Sequence, residues 1–295
     1  MNFIMTNDVE CYSFQTNSYD YKNVHERIYN EALPKLLKLF EKYNVKSTFF
    51  FTGKFARLCP EAVKLVNDEG HEVGCHGYRH EDKYNFDKLS FNDQVKYLNK
   101  SKKIIEGIID KKIISFRAPA LRINNHLPRS LKKTGFKIDS SIASQRFDGP
   151  MTSGALKKLK WMVSPRKPYH MSRKNPYKKG TSKIFEVPIS AFLWSYVGTY
   201  LRLSPSITNI IQKLLVFESK FTKKPLVFLF HPNECLDFVK KKTVKRGNFL
   251  TDEIRHKIKM RNLGTKSLVH LEKIFNSLKN TKFITMREYY ESQKN

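Results

Sequence analysis

Five clusters of polar residues each follow an apolar run, and each carries a side chain able to move a proton or hold a metal. Asp8-Val9-Glu10 closes the first run. The two-residue period of a strand turns Asp8 and Glu10 to the same side, where two carboxylates repel unless a cation or a divided base role separates them. His76-Gly77-Tyr78-Arg79-His80 sets two imidazoles four residues apart, within reach of one metal on a helical turn or tight loop. Arg117-Ala118-Pro119 holds a guanidinium beside a rigid ring. Asp139-Ser140-Ser141 and His231-Pro232-Asn233-Glu234 complete the set. Taken singly, each has an ordinary reading as solvated acids, a surface Arg or a capping Asp or His. Five such clusters on successive runs point to one site.

The elements that must position these clusters alternate. Strands are predicted over 2–6, 45–51, 71–75, 113–116, 136–138, 184–189, 226–230 and 282–285, from short apolar runs rich in β-branched and aromatic residues. Helices are predicted over 28–43, 61–68, 91–109, 127–134 and 266–278. Ser90-Phe91-Asn92-Asp93 carries a capping pattern for the third of these helices, and Gly70 and Gly135 sit where C-terminal glycines end a helix. Successive β-α units imply a parallel sheet. Their number over this length predicts the α/β class and a distorted (β/α) barrel of about seven parallel strands, with reactive groups at the C-terminal strand ends. One domain, 1–295, is expected, with a loop-rich insert at about 143–183. No Gly-rich nucleotide loop is present.

The composition narrows the class further. Fifty-five Lys and Arg against 27 Asp and Glu give a formal charge of +28, while 40% hydrophobic and 13% aromatic residues exclude a disordered polyelectrolyte. The excess is uneven: 156–183 holds ten Lys and Arg and no acid, and 240–246 adds five. With no nucleic-acid recognition motif, these stretches suit an anionic partner, such as a phosphate-linked carrier or a peripheral contact with an acidic membrane surface. The apolar stretch 190–217 is interrupted by Arg202, Pro205, Asn209 and Lys213, too polar to span a bilayer. Four scattered cysteines form no C-x-x-C pair, and the opening residues show no leader pattern, so a cytoplasmic location is expected.

The five clusters, in this order, resemble the motifs of the polysaccharide deacetylase family (carbohydrate esterase family 4), in the form whose first motif reads Asp-Val-Glu or Asp-Val-Asp. The match runs from Asn2 to about Glu234, and Asn7 departs from the family's apolar residue. The resemblance implies a distorted barrel and hydrolysis of an N-acyl amide, chiefly N-acetyl, on an amino sugar or glycan. By it Asp8 is the base, Glu10, His76 and His80 hold one divalent metal such as zinc, Arg117 supports the base, and His231 is the general acid. Asp139 is then expected to support His231, with Pro119, Tyr78 and Ser140 at the substrate. The chemistry is consistent: two His and one carboxylate leave open positions for water and substrate.

Three other readings compete. A deformylase of a lipid-linked formamido sugar differs only in the acyl group. A non-haem Fe(II) oxygenase shares a two-His, one-carboxylate set, and His80-Glu81-Asp82 supplies an H-x-D, but the β-α alternation argues against its antiparallel fold. An inactive glycan-binding barrel needs neither metal ligands nor a proton-transfer pair.

Overall fold

The computed structural model describes residues 1–146, 160–238, 260–278 and 281–294. Among the described residues seven strands make the main parallel path of the sheet: β1 Asn2–Val9, β2 Ser47–Phe51, β3 Glu72–Cys75, β4 Ser115–Phe116, β5 Ile138–Asp139, β6 Phe185–Glu186 and β7 Leu226–Phe230. Their order is β7-β1-β2-β3-β4-β5-β6, the expected curled α/β barrel. The strand Tyr169–His170 adds antiparallel to β6, and Lys282–Phe283 pairs with the start of β1.

The sheet closes without a regular eighth strand. Beyond β6 the chain still bonds toward β5 (Val187 N to Asp139 O, 2.8 Å; Ile189 N to Ile142 O, 2.9 Å), then crosses to β7 (Ser190 N to Val227 O, 3.1 Å). A parallel bridge from Val197 to Leu229 completes the seam. The strands of such a barrel are buried on both faces, so they read as continuous apolar runs. Phe49, Phe50 and Phe51 of β2 are all fully buried, as are four of the five residues of β7 to within 1%.

Helices pack around this sheet. Leu33–Lys42 buries Leu36, Leu37 and Phe40, and Phe91–Ile109 begins where the sequence placed it, the Ser90 hydroxyl accepting from the Asp93 amide at 3.2 Å. Asn7, the departure in the first motif, points away from Asp8 and donates to Ser47 Oγ at 2.7 Å, tying β1 to β2.

Several helices were not anticipated, Gly53–Leu58 and Met286–Ser292 among them. Gly198–Leu203 and Pro205–Thr222 occupy the stretch read only as too polar to cross a membrane. Pro205, taken as an interruption, starts the second helix at a position where a missing N–H costs nothing. No helix among the described residues is long and apolar enough to cross a membrane. Of the basic stretches, 147–159 and 240–246 lie outside the described residues.

Gly74 has no room for a side chain: a Cβ there would stand 2.8 Å from Phe50 Cδ1 and 3.0 Å from the Ser115 carbonyl oxygen. Gly74→Ala is expected to cost about 1–3 kcal/mol through overpacking. Urea unfolding checks this as a lower midpoint at unchanged slope. An unmoved midpoint would show that β2 and β4 yield at this point.

Candidate active site

The C-terminal ends of β1, β3, β4 and β7 meet at one place. Asp8 and Glu10, both buried, project there from β1. Arg117, just past β4, is fully buried, and its guanidinium is bonded all round: Nη1 donates to Asp8 Oδ1 (2.8 Å) and Thr6 Oγ1 (2.9 Å), Nε to the Ser140 carbonyl (2.9 Å) and Nη2 to Ser140 Oγ (2.8 Å). Its planar face lies 4.5 Å from the centre of the Phe50 ring. Burial alone would raise the Asp8 carboxyl, but the charges of Arg117, His76 and His231, with the Arg117 hydrogen bond, hold it below the ordinary carboxylate value. Asp8 is therefore an ionised acceptor.

His76 follows β3. Its Nδ1 lies 2.9 Å from the Arg117 carbonyl oxygen, which can only accept. Nδ1 therefore carries the proton and Nε2 keeps its lone pair. His80 is brought back by a turn at Gly77, whose φ of +69° suits glycine. A Cβ there would also press on Pro119 at 3.0 Å. His80 Nδ1 bonds Tyr19 OH, and its Nε2 accepts from the Ala120 amide at 2.9 Å.

Glu10, His76 and His80 present ligand atoms within 4.8 Å of one another, the sole such group among the described residues. His76 Nε2 and Glu10 Oε2 are buried with no hydrogen-bond partner, although Glu10 Oε2 lies 3.3 Å from His80 Nε2. Burial pushes the Glu10 carboxyl up to about 8, so its ionised form calls for a positive charge close by. Burial also drives His80 down to about 3, leaving a neutral imidazole. Two neutral imidazoles and a carboxylate with orphaned, converging atoms fit a divalent cation. Ala120 is the one group that would have to yield, because its N–H occupies the His80 lone pair. Zinc suits this nitrogen and oxygen set.

His231 follows β7, and here the expected partner is replaced. Its Nδ1 donates to Glu234 Oε1 at 3.1 Å, and Glu234, fully buried, bonds in turn to Arg202 Nε. Burial opposes protonation of His231, but the Glu234 hydrogen bond and charge, with Asp8 and Glu10 farther off, raise it above the ordinary histidine value. Gly198 leaves the space this requires, since a Cβ there would lie 2.6 Å from Glu234 Oε1.

Asp139 does not reach His231. It accepts from Ser141 Oγ at 2.5 Å and sits opposite Glu186 in the β5–β6 ladder. Burial pushes Asp139 up to about 6, and burial plus the Asp139 charge raise Glu186 well above its ordinary value. Ser140, expected at the substrate, is fully buried as a buttress, its hydroxyl donating to the Val187 carbonyl at 2.8 Å. Tyr78 likewise turns from the centre, stacking on Tyr97 with Lys100 over its ring. Pro119 lies beside the centre, packed against Gly77. Glu234 was legible as the acid three residues after His231, whereas nothing in the sequence pointed to Tyr19 or Arg202.

Residues 19–138 match the family model described as polysaccharide deacetylase. A peptidoglycan deacetylase of Helicobacter pylori is 35% identical over 116 residues, covering 39% of this chain and 39% of that protein. The chain thus spans about two fifths of the length of this curated relative. Among solved structures, a Mycobacterium smegmatis chain described as a polysaccharide deacetylase superposes with a TM-score of 0.65 at 16% identity, covering 99% of this chain and 92% of that one. A 4-alpha-glucanotransferase of Thermococcus litoralis reaches 0.61 at 15% identity, over 99% of this chain and 40% of that one. The architecture is therefore common to several enzymes, and over residues 19–138 the sequence is similar to the polysaccharide deacetylase family.

Proposed function

We propose that this chain is a metal-dependent hydrolase that removes an N-acyl group, chiefly acetyl, from an amino sugar within a glycan or on a phosphate-linked lipid carrier. The observation that carries the reading is the juxtaposition of an Asp8 carboxyl held low and a carboxylate-backed His231 raised above its ordinary value, beside the Glu10, His76, His80 cluster. The match to deacetylases supports the reaction class, and the basic residues of 160–183 support an anionic carrier.

Glu10, His76 and His80 would hold the cation, zinc by the donor set. A divalent ion bound by them supplies Lewis-acid activation of water and of the acyl carbonyl. Asp8 accepts the proton of the attacking water, and Arg117 keeps it charged and aimed. As the water oxygen bonds to the acyl carbon, the carbonyl oxygen gains negative charge, which the Ala120 N–H would meet once released from His80. His231 gives its proton to the departing nitrogen as the C–N bond breaks. The carboxylic acid and the free amine leave, and the proton held by Asp8 restores His231 through solvent, so every atom is accounted for without a covalent enzyme intermediate. A cytoplasmic location remains our proposal, supported by four buried free cysteines.

Acetate or formate release from N-acylated glycans, with and without chelator, tests the reading. Asp8→Asn is expected to retain a bound zinc and lose hydrolysis, while His76→Ala loses both. Full activity after chelation, or in Asp8→Asn, would overturn the mechanism.

His231→Ala should lower kcat by about 10²–10⁴-fold, the range for loss of a general acid. Glu234→Gln removes the charge that lifts His231. Activity needs protonated His231 and so falls as pH rises through its pKa, and in Glu234→Gln that alkaline fall should move to lower pH. An unmoved profile would assign the acid to another group.

A further inference from the structure

One outer face of the barrel contradicts the rule that long apolar side chains pack inward. Ile207, Ile210, Leu214, Phe217 and Phe221 are all exposed, from 37% at Ile207 to 73% at Phe221. They recur at intervals of three and four along the Pro205–Thr222 helix, which puts them in one stripe about 21 Å long. The helix cannot roll to hide it. Its opposite face is pinned by Ile211 and Leu215 in the core and by Gln212, which accepts from Tyr196 OH at 2.7 Å and donates to Ser277 Oγ at 2.6 Å.

A second exposed group lies alongside. The hairpin of Ala191–Phe192 and Trp194–Ser195 turns at Leu193, leaving Phe192, Leu193 and Trp194 exposed at its tip. Arg166 joins hairpin and helix by donating to the Ala191 carbonyl at 2.8 Å and to both oxygens of Glu218.

The charges around this face have one sign. Lys213 and Lys220 flank the stripe, and Lys223 follows it. Glu218, the one acid of the helix, is held by Arg166 and Lys224. Residues 160–224 hold thirteen Lys and Arg against two acids, and the other acid, Glu186, is fully buried.

We propose that this face docks the protein on an anionic lipid surface, the helix lying in the plane of the interface with its aromatic stripe among the headgroups and its lysines against lipid phosphates. Trp194 at the hairpin tip suits the same boundary. A three-four stripe is also what a paired helix would use. Two-fold pairing with a second copy, however, would set one lysine-rich rim against another, whereas anionic headgroups neutralise it. The inference does not depend on the catalytic reading.

The test is co-sedimentation of the full chain with phosphatidylcholine vesicles containing or lacking about 30 mol% phosphatidylglycerol. Binding is expected only to the anionic vesicles, and to weaken at least about tenfold as NaCl rises from roughly 0.1 to roughly 0.5 M. The exposed-site variants Phe217→Ser with Phe221→Ser, and separately Lys213→Glu with Lys220→Glu, should each lose at least about tenfold in binding, their circular dichroism unchanged. Binding indifferent to lipid charge or to both variant pairs would overturn the proposal. So would a dimer in sedimentation equilibrium that the two serines dissociate, in a protein that ignores vesicles, because that outcome gives the face to a second copy. Activity on a soluble glycan should be unchanged in all variants, which separates failure here from failure of the hydrolase reading.

Discussion

A guanidinium with no solvent contact is tolerable only if its N–H groups are met by acceptors, and the site is organised around how Arg117 meets that demand. Its side chain draws together Thr6 and Asp8 of β1 and Ser140 past β5, while its own carbonyl fixes the proton on His76 Nδ1. One residue thereby keeps Asp8 ionised, sets the tautomer of a candidate ligand and joins three strand ends. Truncating one partner of such a buried pair typically costs about 3–5 kcal/mol because it strands the other charge. Fold and chemistry thus share a single electrostatic anchor.

The second charged assembly has the same logic on the opposite side of the centre. Arg202 neutralises Glu234, Glu234 raises His231, and the missing side chain of Gly198 gives Glu234 its place. Two buried carboxylates flank the candidate metal cluster with opposite consequences. Asp8 is stripped of its proton by an arginine, whereas Glu234 passes its negative charge to an imidazole. An acid and a base that coexist at one pH need environments that differ in this way.

Much of this was legible in the sequence because it is local. The runs ending in Asp8, His76, Arg117 and His231 announce both a strand and its functional tip, and the observed ladders place those tips together. What escaped was what depends on distant partners. Asp139 and Glu186 lie 47 positions apart, and only the β5–β6 register sets their carboxyls opposite each other. Ser140 was placed at the substrate by resemblance, whereas its burial follows from the need to satisfy Arg117. The Pro205–Thr222 helix was missed because its outward face is as apolar as its inward one, which erases the periodicity that marks a surface helix. Nor does the architecture decide the chemistry, since a glucanotransferase shares it. The residues at the strand ends do.

Ala120 has a consequence for how the protein tolerates change. With φ at +52°, beside Leu121 at +54°, it occupies a backbone conformation that L-residues disfavour, and the turn aims its N–H at His80. That donor belongs to the main chain, not to any side chain. Every substitution at position 120 but one would preserve it, so mutational scanning would register there the strain of the turn and not the loss of the donor. Proline alone removes the N–H, and it cannot adopt that φ. A group at the centre of the site is thus hidden from the usual genetic test of importance.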